Sequence, residues 1–490
     1  MSQFDLLIKN GKLVIPQRGI IEGNIGIRGE KVAAILSPSE EVSAKKELDI
    51  SGKYVLPGII DPHSHPGYPG APYGSFYEAF GTETTSAAVG GVTTNIHYYR
   101  QYGQQPSPYE DFWEIMGKAE ERSHVDFGVH LMISTNSQAE PKEYKKYIEE
   151  YGVKSFKYSM AYKGAEGKAL GITNDVDDAF LYRTFAELSQ YPGVIVMVHC
   201  ENMELLTMLT APLKAQGRQD LAAWTDGRPD FCEAESVRRI LYLAEITNCP
   251  AYIVHVTCEA ALREIMFHRE RSPVEIYAET CTHYLTQTKD SPIGPFGKVN
   301  PPLRTQEDID FLWQGIADGD IDTVGTDHCH LLKEQKKDIW SAVPGFPGVA
   351  LLLPLLLSLL KEQKKDIWSA VPGFPGVGLL LPLLLSEGVN KGRISLEEVA
   401  EVASCNAAKI FGLYPKKGTI EIGSDADFAI VDLDLEKKVN PEMLQGLSDF
   451  SLWDGWTLKG WPVLTILRGE VIMENGKVLN KEGSGKYLKR

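Results

Sequence analysis

Residues 194–202 read VIVMVHCEN: an apolar run of strand length that closes on His199. The same plan returns in AYIVHVTCE (251–259), VEIYAETC (274–281) and IDTVGTDHC (321–329), each apolar run ending in polar residues. Between the runs lie stretches of helical periodicity such as EAESVRRILYLAEIT (233–247). Strand then helix, repeated, predicts a parallel sheet with crossover helices. Ligand-type residues at the C-terminal ends of the strands place this α/β chain in the (β/α)8 TIM-barrel class, whose active site lies at that face.

Outward from this middle the pattern changes. FDLLIKNGKLVI (4–15), GNIGIRGEKVAAIL (23–36), GTIEIGSDADFAIVDLD (418–434) and VLTILRGEVIMENGKVL (463–479) cluster apolar residues between Asn-Gly and Gly turns, which reads as strands. The expected division is a small β-sandwich domain built from both termini (1–56 and 416–478), a barrel domain (57–415) and a tail (479–490). The 490 residues accommodate a barrel of roughly 250 residues plus an accessory domain. A net charge of −16 argues against a nucleic-acid or acidic-membrane partner, since both require a basic face. Seven cysteines, an odd number without a CxxC pair, argue against a disulfide framework. The N-terminus lacks a basic segment followed by an apolar one. The most apolar run, Val349 to Leu360, is too short to span a bilayer and contains Pro354. The expected location is the cytoplasm.

One feature stands apart. Residues 331–358 recur at 359–386, with Ala350 against Gly378 as the sole difference. Repeat architectures carry more copies and more divergence. The segment therefore reads as a recent tandem duplication or an artefact of the sequence, with one copy superfluous to the fold.

Several residues carry candidate chemistry. His63-Ser64-His65 follows the apolar VLPGIIDP, and residues two apart on a strand point to one side, so the two imidazoles can grip one metal ion. His199 and His255 occupy equivalent places at the ends of two other strands, and imidazole suits zinc and related ions. Asp327 ends IDTVGTDHC, where a carboxylate can bind metal, act as a general base, or cap the next helix. His328 and His330 are given no ligand role. Lys157 in VKSFKYSMAYKG is costly to bury as a cation. Its neutral amine could form a carbamate with carbon dioxide and bridge two ions, although spacing alone favours a surface lysine.

The order HxH, strand lysine, strand histidine twice, strand aspartate, between two β-rich ends, resembles the cyclic amidohydrolases, and among them the dihydropyrimidinase and hydantoinase group. GKYVLPGIIDPHSH (52–65), GGVTT (90–94), FKYSMAYKG (156–164), VHCEN (198–202), PPLR (301–304), VGTDHC (324–329), EGVNKGRISL (387–396), KIFGLYPKKGTIEIGSDADF (409–428) and GSGKYLKR (483–490) carry the resemblance. It implies two divalent metal ions, zinc by default with manganese or iron as alternatives. His63 and His65 with Asp327 would bind the more buried ion and His199 with His255 the second. Lys157, carboxylated, and a hydroxide would bridge both. Asp327 would take the proton of that hydroxide as it attacks the ring carbonyl, then protonate the departing nitrogen. Tyr162 would hydrogen-bond the oxyanion. The implied substrate is a small cyclic amide, a dihydropyrimidine or 5-substituted hydantoin, opened to an N-carbamoyl amino acid. The family implies a homotetramer or homodimer, with the tail reaching a neighbour.

Departures from the family gather around the substrate. Dihydroorotases usually carry an arginine shortly after HxH, and HSHPGYPG (63–70) has none; bacterial allantoinases lack the tyrosine kept here in FKYSMAY. Asn300 replaces the serine before PPLR and is expected to bind substrate through its backbone. The family's substrate-contacting asparagine aligns with Gly345, or with Gly373 of the second copy. Ser159 stands where hydantoinases commonly have a bulky aromatic, which makes room for a larger ring substituent. Two alternatives remain: another cyclic-amide hydrolase such as an allantoinase or imidase, and a non-catalytic scaffold like the family's neuronal relatives, which lack the ligand set present here.

Overall fold

The apolar runs singled out in the sequence form one parallel sheet. The computed structural model describes residues 2–67, 76–101, 108–161, 176–336 and 373–490. Five strands come first: β1 (Phe4–Ile15), β2 (Gly19–Arg28), β3 (Lys31–Leu36), β4 (Ala44–Asp49) and β5 (Tyr54–Pro57). Eight follow: β6 (Ile59–Ser64), β7 (Val92–Tyr99), β8 (Asp126–Met132), β9 (Ser155–Ser159), β10 (Ile195–His199), β11 (Ala251–Ile253), β12 (Ile276–Cys281) and β13 (Thr323–Gly325). The last are β14 (Phe428–Lys438), β15 (Thr457–Leu467), β16 (Glu470–Glu474) and β17 (Lys477–Val478).

Strands β6 to β13 are hydrogen-bonded in chain order, all parallel. The ring nearly closes just past β13, where His328 bridges Ser64 of β6 and its carbonyl accepts from His65 N at 2.7 Å. Every residue of β10 is buried. Such a strand is covered on both faces, which is why it reads as an unbroken apolar run instead of alternating. The helix Asp230–Thr247 buries Val237, Ile240, Leu241 and Ala244, an i, i+3, i+4, i+7 stripe, and stops at Asn248 in the left-handed region (φ 53°).

The two ends of the chain meet in a nine-stranded mixed sheet of order β17-β16-β15-β14-β5-β1-β2-β3, with β4 also paired to β1. The junction is antiparallel, Ala429 of β14 opposite Leu56 of β5, over a separate core that includes Ile8, Leu13, Ile25, Val55, Phe428 and Ile466. A buried ion cluster ties this sheet to the barrel. Lys417 Nζ lies 2.8 Å from Asp126 of β8, 2.5 Å from Asp427 and 3.3 Å from Asp425. The tail lies against its own barrel: Phe127 N donates to Lys486 O, Leu488 N to Phe127 O, and Arg490 N to Gly152 O.

The duplicated segment is used from both of its ends. Leu331 of the first copy is buried, and from the second copy Phe374, Leu379, Leu380, Leu381, Leu383, Leu384 and Leu385 enter the core. The one position at which the copies differ supplies the reason. Gly378 lies against Gly90 and the helix Phe80–Val89, and a Cβ on it would sit 2.8 Å from Ser86 Oγ and 3.1 Å from Ser86 O. The glycine of the second copy fits this approach without a shift, whereas an alanine such as Ala350 of the first would press on Ser86.

Candidate active site

The polar residues at the strand ends converge at one mouth. His63 Nε2 and His65 Nε2 are 3.2 Å apart, and Asp327 Oδ1 lies 3.1 Å from each. His199, the last residue of β10, places Nδ1 3.0 Å from Nε2 of His255, which follows β11. The His63 and His255 rings are 5.5 Å apart, so the two groups adjoin. Lys157 on β9 is buried, with Nζ 5.1 Å over the Tyr98 ring, and Tyr98 in turn stacks on His65 at 4.9 Å. The structure thus assembles His63, His65, Lys157, His199, His255 and Asp327, which the sequence offered separately. His65 and Asp327 are 21% and 13% exposed at the side chain, against 1% for His63, so the mouth opens toward these two. Asn300 is buried near this face with its carboxamide unpaired. Tyr162 and Gly345 lie outside the described residues. Gly373, equivalent to Gly345 in the second copy, sits in the left-handed region (φ 108°) against Cys329, with its N–H on Lys298 O.

Carboxylates that the sequence reading did not single out orient these ligands. Glu279 on β12 is fully buried; its Oε1 lies 2.5 Å from His63 Nδ1 and accepts from His255 N at 3.1 Å, while Oε2 accepts from Tyr252 Oη at 2.7 Å. A proton on His63 Nδ1 leaves Nε2 with its lone pair toward His65 and Asp327. Glu201 does the same for the second pair. Its carboxylate meets His199 Nε2 at 2.7 Å, leaving Nδ1 to face His255, and Arg228 backs it at 3.0 Å. Although burial opposes the charge, the Arg228 guanidinium and His199 hold the Glu201 carboxyl down at about 2. Asp61 fixes the loop ends, accepting from His63 N and Thr326 N, both at 3.1 Å. A glutamate near the C-terminal end of VEIYAETC, where the other strands end in polar residues, was the available signal for Glu279. Nothing in a single sequence pairs it with a histidine more than two hundred positions earlier.

Two of the assembled residues hold unusual backbone. His255 (φ 41°) and Asp327 (φ 48°) both lie in the left-handed region, which costs of order 1–3 kcal/mol each for a non-glycine residue and recurs at functional sites. Burial pulls the Lys157 ammonium down to about 8 despite the nearby Glu279 and Asp327 carboxylates. A neutral amine is therefore accessible there, and Nζ has no hydrogen-bond partner. His328 is held apart from this work: its Nδ1 accepts from Gly376 N at 3.0 Å and its Nε2 lies 2.6 Å from Glu83.

The residues fit divalent cations. Imidazole nitrogens that face one another at hydrogen-bonding distance, with a carboxylate oxygen shared by two of them and an unpaired buried amine between the groups, form an N/O donor set of the kind zinc, manganese or iron takes. The acidic cluster Asp126, Asp425 and Asp427 is different, because Lys417 already fills its centre. The seven cysteines are buried and free. No helix among the described residues is long and apolar enough to cross a membrane.

Comparison with known proteins agrees with this geometry. Residues 54–472 match the model of the amidohydrolase family. The chain is 35% identical to a D-hydantoinase of Ralstonia pickettii, with 99% of each chain covered, and 34% identical to an L-hydantoinase of Paenarthrobacter aurescens, covering 99% of this chain and 98% of the relative. The solved L-hydantoinase (dihydropyrimidinase) from Arthrobacter aurescens superposes with a TM-score of 0.86 at 33% identity, over 100% of both chains. With an eight-stranded parallel barrel, a mixed sheet from both termini and full-length similarity of this order, the chain belongs to the amidohydrolase family, within its hydantoinase and dihydropyrimidinase group.

Proposed function

We propose that the protein hydrolyses the ring amide bond of a cyclic ureide or imide, a dihydropyrimidine or 5-substituted hydantoin, to the open N-carbamoyl amino acid. The observation that carries this reading is the convergence of four histidines, Asp327 and the unpaired Lys157 at the barrel mouth. His63, His65 and Asp327 would hold one divalent cation, zinc by default, and His199 and His255 a second. Bound there, the cations would polarise the amide carbonyl and acidify the attacking water.

The remaining work falls to the chain's own groups. Asp327, partly exposed at the mouth, accepts a proton from the attacking water and returns it to the departing amide nitrogen, a poor leaving group without an acid. Glu279 and Glu201 fix which ring nitrogen each of His63 and His199 presents. Lys157, as a carbamate, exchanges a buried positive charge for two anionic oxygens between the two ligand groups. The ammonium first gives up one proton, carbon dioxide then adds to the neutral amine nitrogen, and a second proton is released, so a charge of +1 becomes −1 shared over the two oxygens. Tyr162 is assigned the oxyanion hydrogen bond, typically worth about 3 kcal/mol in such a site, the Asn300 backbone contacts the ring, and Gly345, or its equivalent Gly373 in the second copy, stands in the place of the family's substrate-contacting asparagine.

A panel of dihydrouracil, hydantoin and allantoin on metal-loaded protein tests the reading. Opening of dihydrouracil or hydantoin is the expected result. Turnover of allantoin, itself a 5-ureidohydantoin, with none of dihydrouracil or hydantoin would move the assignment to an allantoinase, and fewer than one bound metal per chain after loading would return it to a scaffold.

A further inference from the structure

A line of hydrogen bonds crosses the inside of the barrel from the tail to the first ligand strand. It ends where β6 needs support. The pairing of β6 with β7 breaks between Asp61 and Ser64, an irregularity of the kind that re-aims a side chain beside a site, and Pro62 has no N–H to offer a neighbour. The Pro62 carbonyl meets His130 Nε2 of β8 at 3.1 Å. His130 Nδ1 lies 2.5 Å from Ser155 Oγ at the start of β9, and Ser155 Oγ accepts from Arg490 Nη2 at 2.8 Å. The same Nη2 donates to Val129 O. His130 and Ser155 are fully buried.

Donor chemistry gives this line one direction. A carbonyl only accepts, so His130 Nε2 carries the ring proton. Burial and the Arg490 charge hold the imidazole well below its usual pKa, so the ring is neutral and Nδ1 is a bare acceptor. The Ser155 hydroxyl then donates to Nδ1, and its oxygen accepts from the guanidinium, which can only donate. Each member fixes the next: Arg490 turns the Ser155 hydroxyl, Ser155 selects the His130 tautomer, and His130 holds the Pro62 carbonyl. The other tautomer would set an imidazole lone pair against that carbonyl.

The line touches the metal site at three places. Pro62 immediately precedes His63. Ser155 shares a face of β9 with Lys157, two residues on. The His130 ring packs 4.8 Å from Tyr98, which stacks on His65 at 4.9 Å and lies 4.5 Å from His63. The guanidinium gains little for itself, since Nε and Nη1 are buried without a partner. A buried charge so incompletely paired is costly, and an apolar side chain would fill the place with less loss. We infer that Arg490 is a positioning residue for the metal site, fixing the Pro62–His63 peptide and the ring of Tyr98 through Ser155 and His130. The inference rests on the metal-binding reading above and extends it to the tail.

The test uses full-length Arg490→Met, Ser155→Ala and the double variant. Lys489→Ala is the control in the same tail, because that side chain turns to Glu150 O and the Trp113 ring. The backbone bonds that dock the tail, Leu488 N to Phe127 O and residue 490 N to Gly152 O, persist in all four. Zinc affinity is read by titrating chelator-treated protein against a competing indicator, and kcat and KM are read on loaded enzyme with the ring it opens. Arg490→Met should weaken zinc binding about three- to tenfold, at or below the low end for loss of an outer partner, and should lower kcat with KM held, because the ligands shift and the substrate wall does not. Millimolar guanidinium should restore the affinity of Arg490→Met and leave native protein and Lys489→Ala unmoved. Since the line acts as one unit, the double variant should lose no more than Ser155→Ala alone. Partial unfolding lowers the number of sites and not their affinity, so it does not mimic this result. Native affinity in Arg490→Met, no restoration by guanidinium, or losses that add in the double variant overturns the positioning role, while zinc binding and ring opening by the native protein leave the proposed function standing. A native protein that binds no zinc overturns both.

Discussion

Replacing Glu279 by glutamine isolates what its charge does for the ligands. The carboxylate binds three partners: His63 Nδ1 and His255 N at Oε1, Tyr252 Oη at Oε2. A glutamine with its carbonyl in the Oε1 place keeps the first two. Its amide then donates to the Tyr252 oxygen, whose proton turns to Thr323 Oγ1, 2.6 Å away. Every pairing survives and only the negative charge is lost, so the thermal midpoint should stay close to native. The histidine ligand becomes less basic, and loss of such an outer partner weakens metal affinity roughly 10–100-fold, or about 1.4–2.7 kcal/mol. Glu279→Ala differs in kind. It strands three buried groups at about 1–3 kcal/mol each, a sum comparable to a typical total stability of about 5–15 kcal/mol, and should prevent accumulation of folded protein. The assay is zinc titration of chelator-treated protein against a competing indicator, with melting of the metal-free form alongside. Cation affinity of the glutamine variant equal to native would refute the argument that Glu279 acts through its charge on His63.

Gly378→Ala should destabilise by about 1–3 kcal/mol in urea unfolding, the usual cost of overpacking, because the new methyl meets Ser86; a neutral effect would show that either copy of the repeat can fill this place. Deleting residues 337–364 removes one repeat length while preserving Leu331 and Gly378, and should leave melting temperature and ring-opening activity close to native values, because the buried residues at both ends of the duplicated segment are kept. Lys157→Ala should abolish bound metal and activity, with partial rescue by a short-chain carboxylic acid; retention of two metals would refute the bridging role. Lys417→Met leaves Asp427 buried without a cation, while Asp126 keeps Arg468 and Asp425 keeps Lys31, and should cost roughly 3–5 kcal/mol. Burial disfavours the Lys417 ammonium, but the three carboxylates outweigh it and raise its pKa, so its contribution is present below the ordinary lysine value and lost only as pH rises through the raised one. Burial already raises the Asp427 carboxyl, and without Lys417 it holds its proton still more tightly folded than unfolded, so the stability gap to native should narrow as pH falls through that raised value; a constant gap would refute the charge account.

The amino-acid sequence by itself determined the barrel, the β-rich ends and which residues are candidates for the metal site. Strands buried on both faces, as β10 is, must be apolar throughout, and a polar residue that ends such a run is conspicuous because burial elsewhere excludes it. His199, His255 and Asp327 were legible for that reason, and His63 and His65 through their two-residue spacing. Lys157 was not, since a lysine on a strand is ordinarily a surface residue, and only its burial beside Tyr98 without a partner sets it apart. Tertiary structure alone decided which carboxylate serves which histidine, Glu279 for His63 and Glu201 for His199, and which buried polar atoms remain unpaired around the mouth. It also decided the duplicated segment. Two copies alike in all but one residue are equivalent as local pattern, and they part only where Gly378 lies so close to Ser86 that an added methyl would force its neighbours to shift. Hydrophobic periodicity is a property of neighbouring residues and can be read along the chain, whereas orientation and close packing depend on residues hundreds of positions apart and exist only once the barrel has closed.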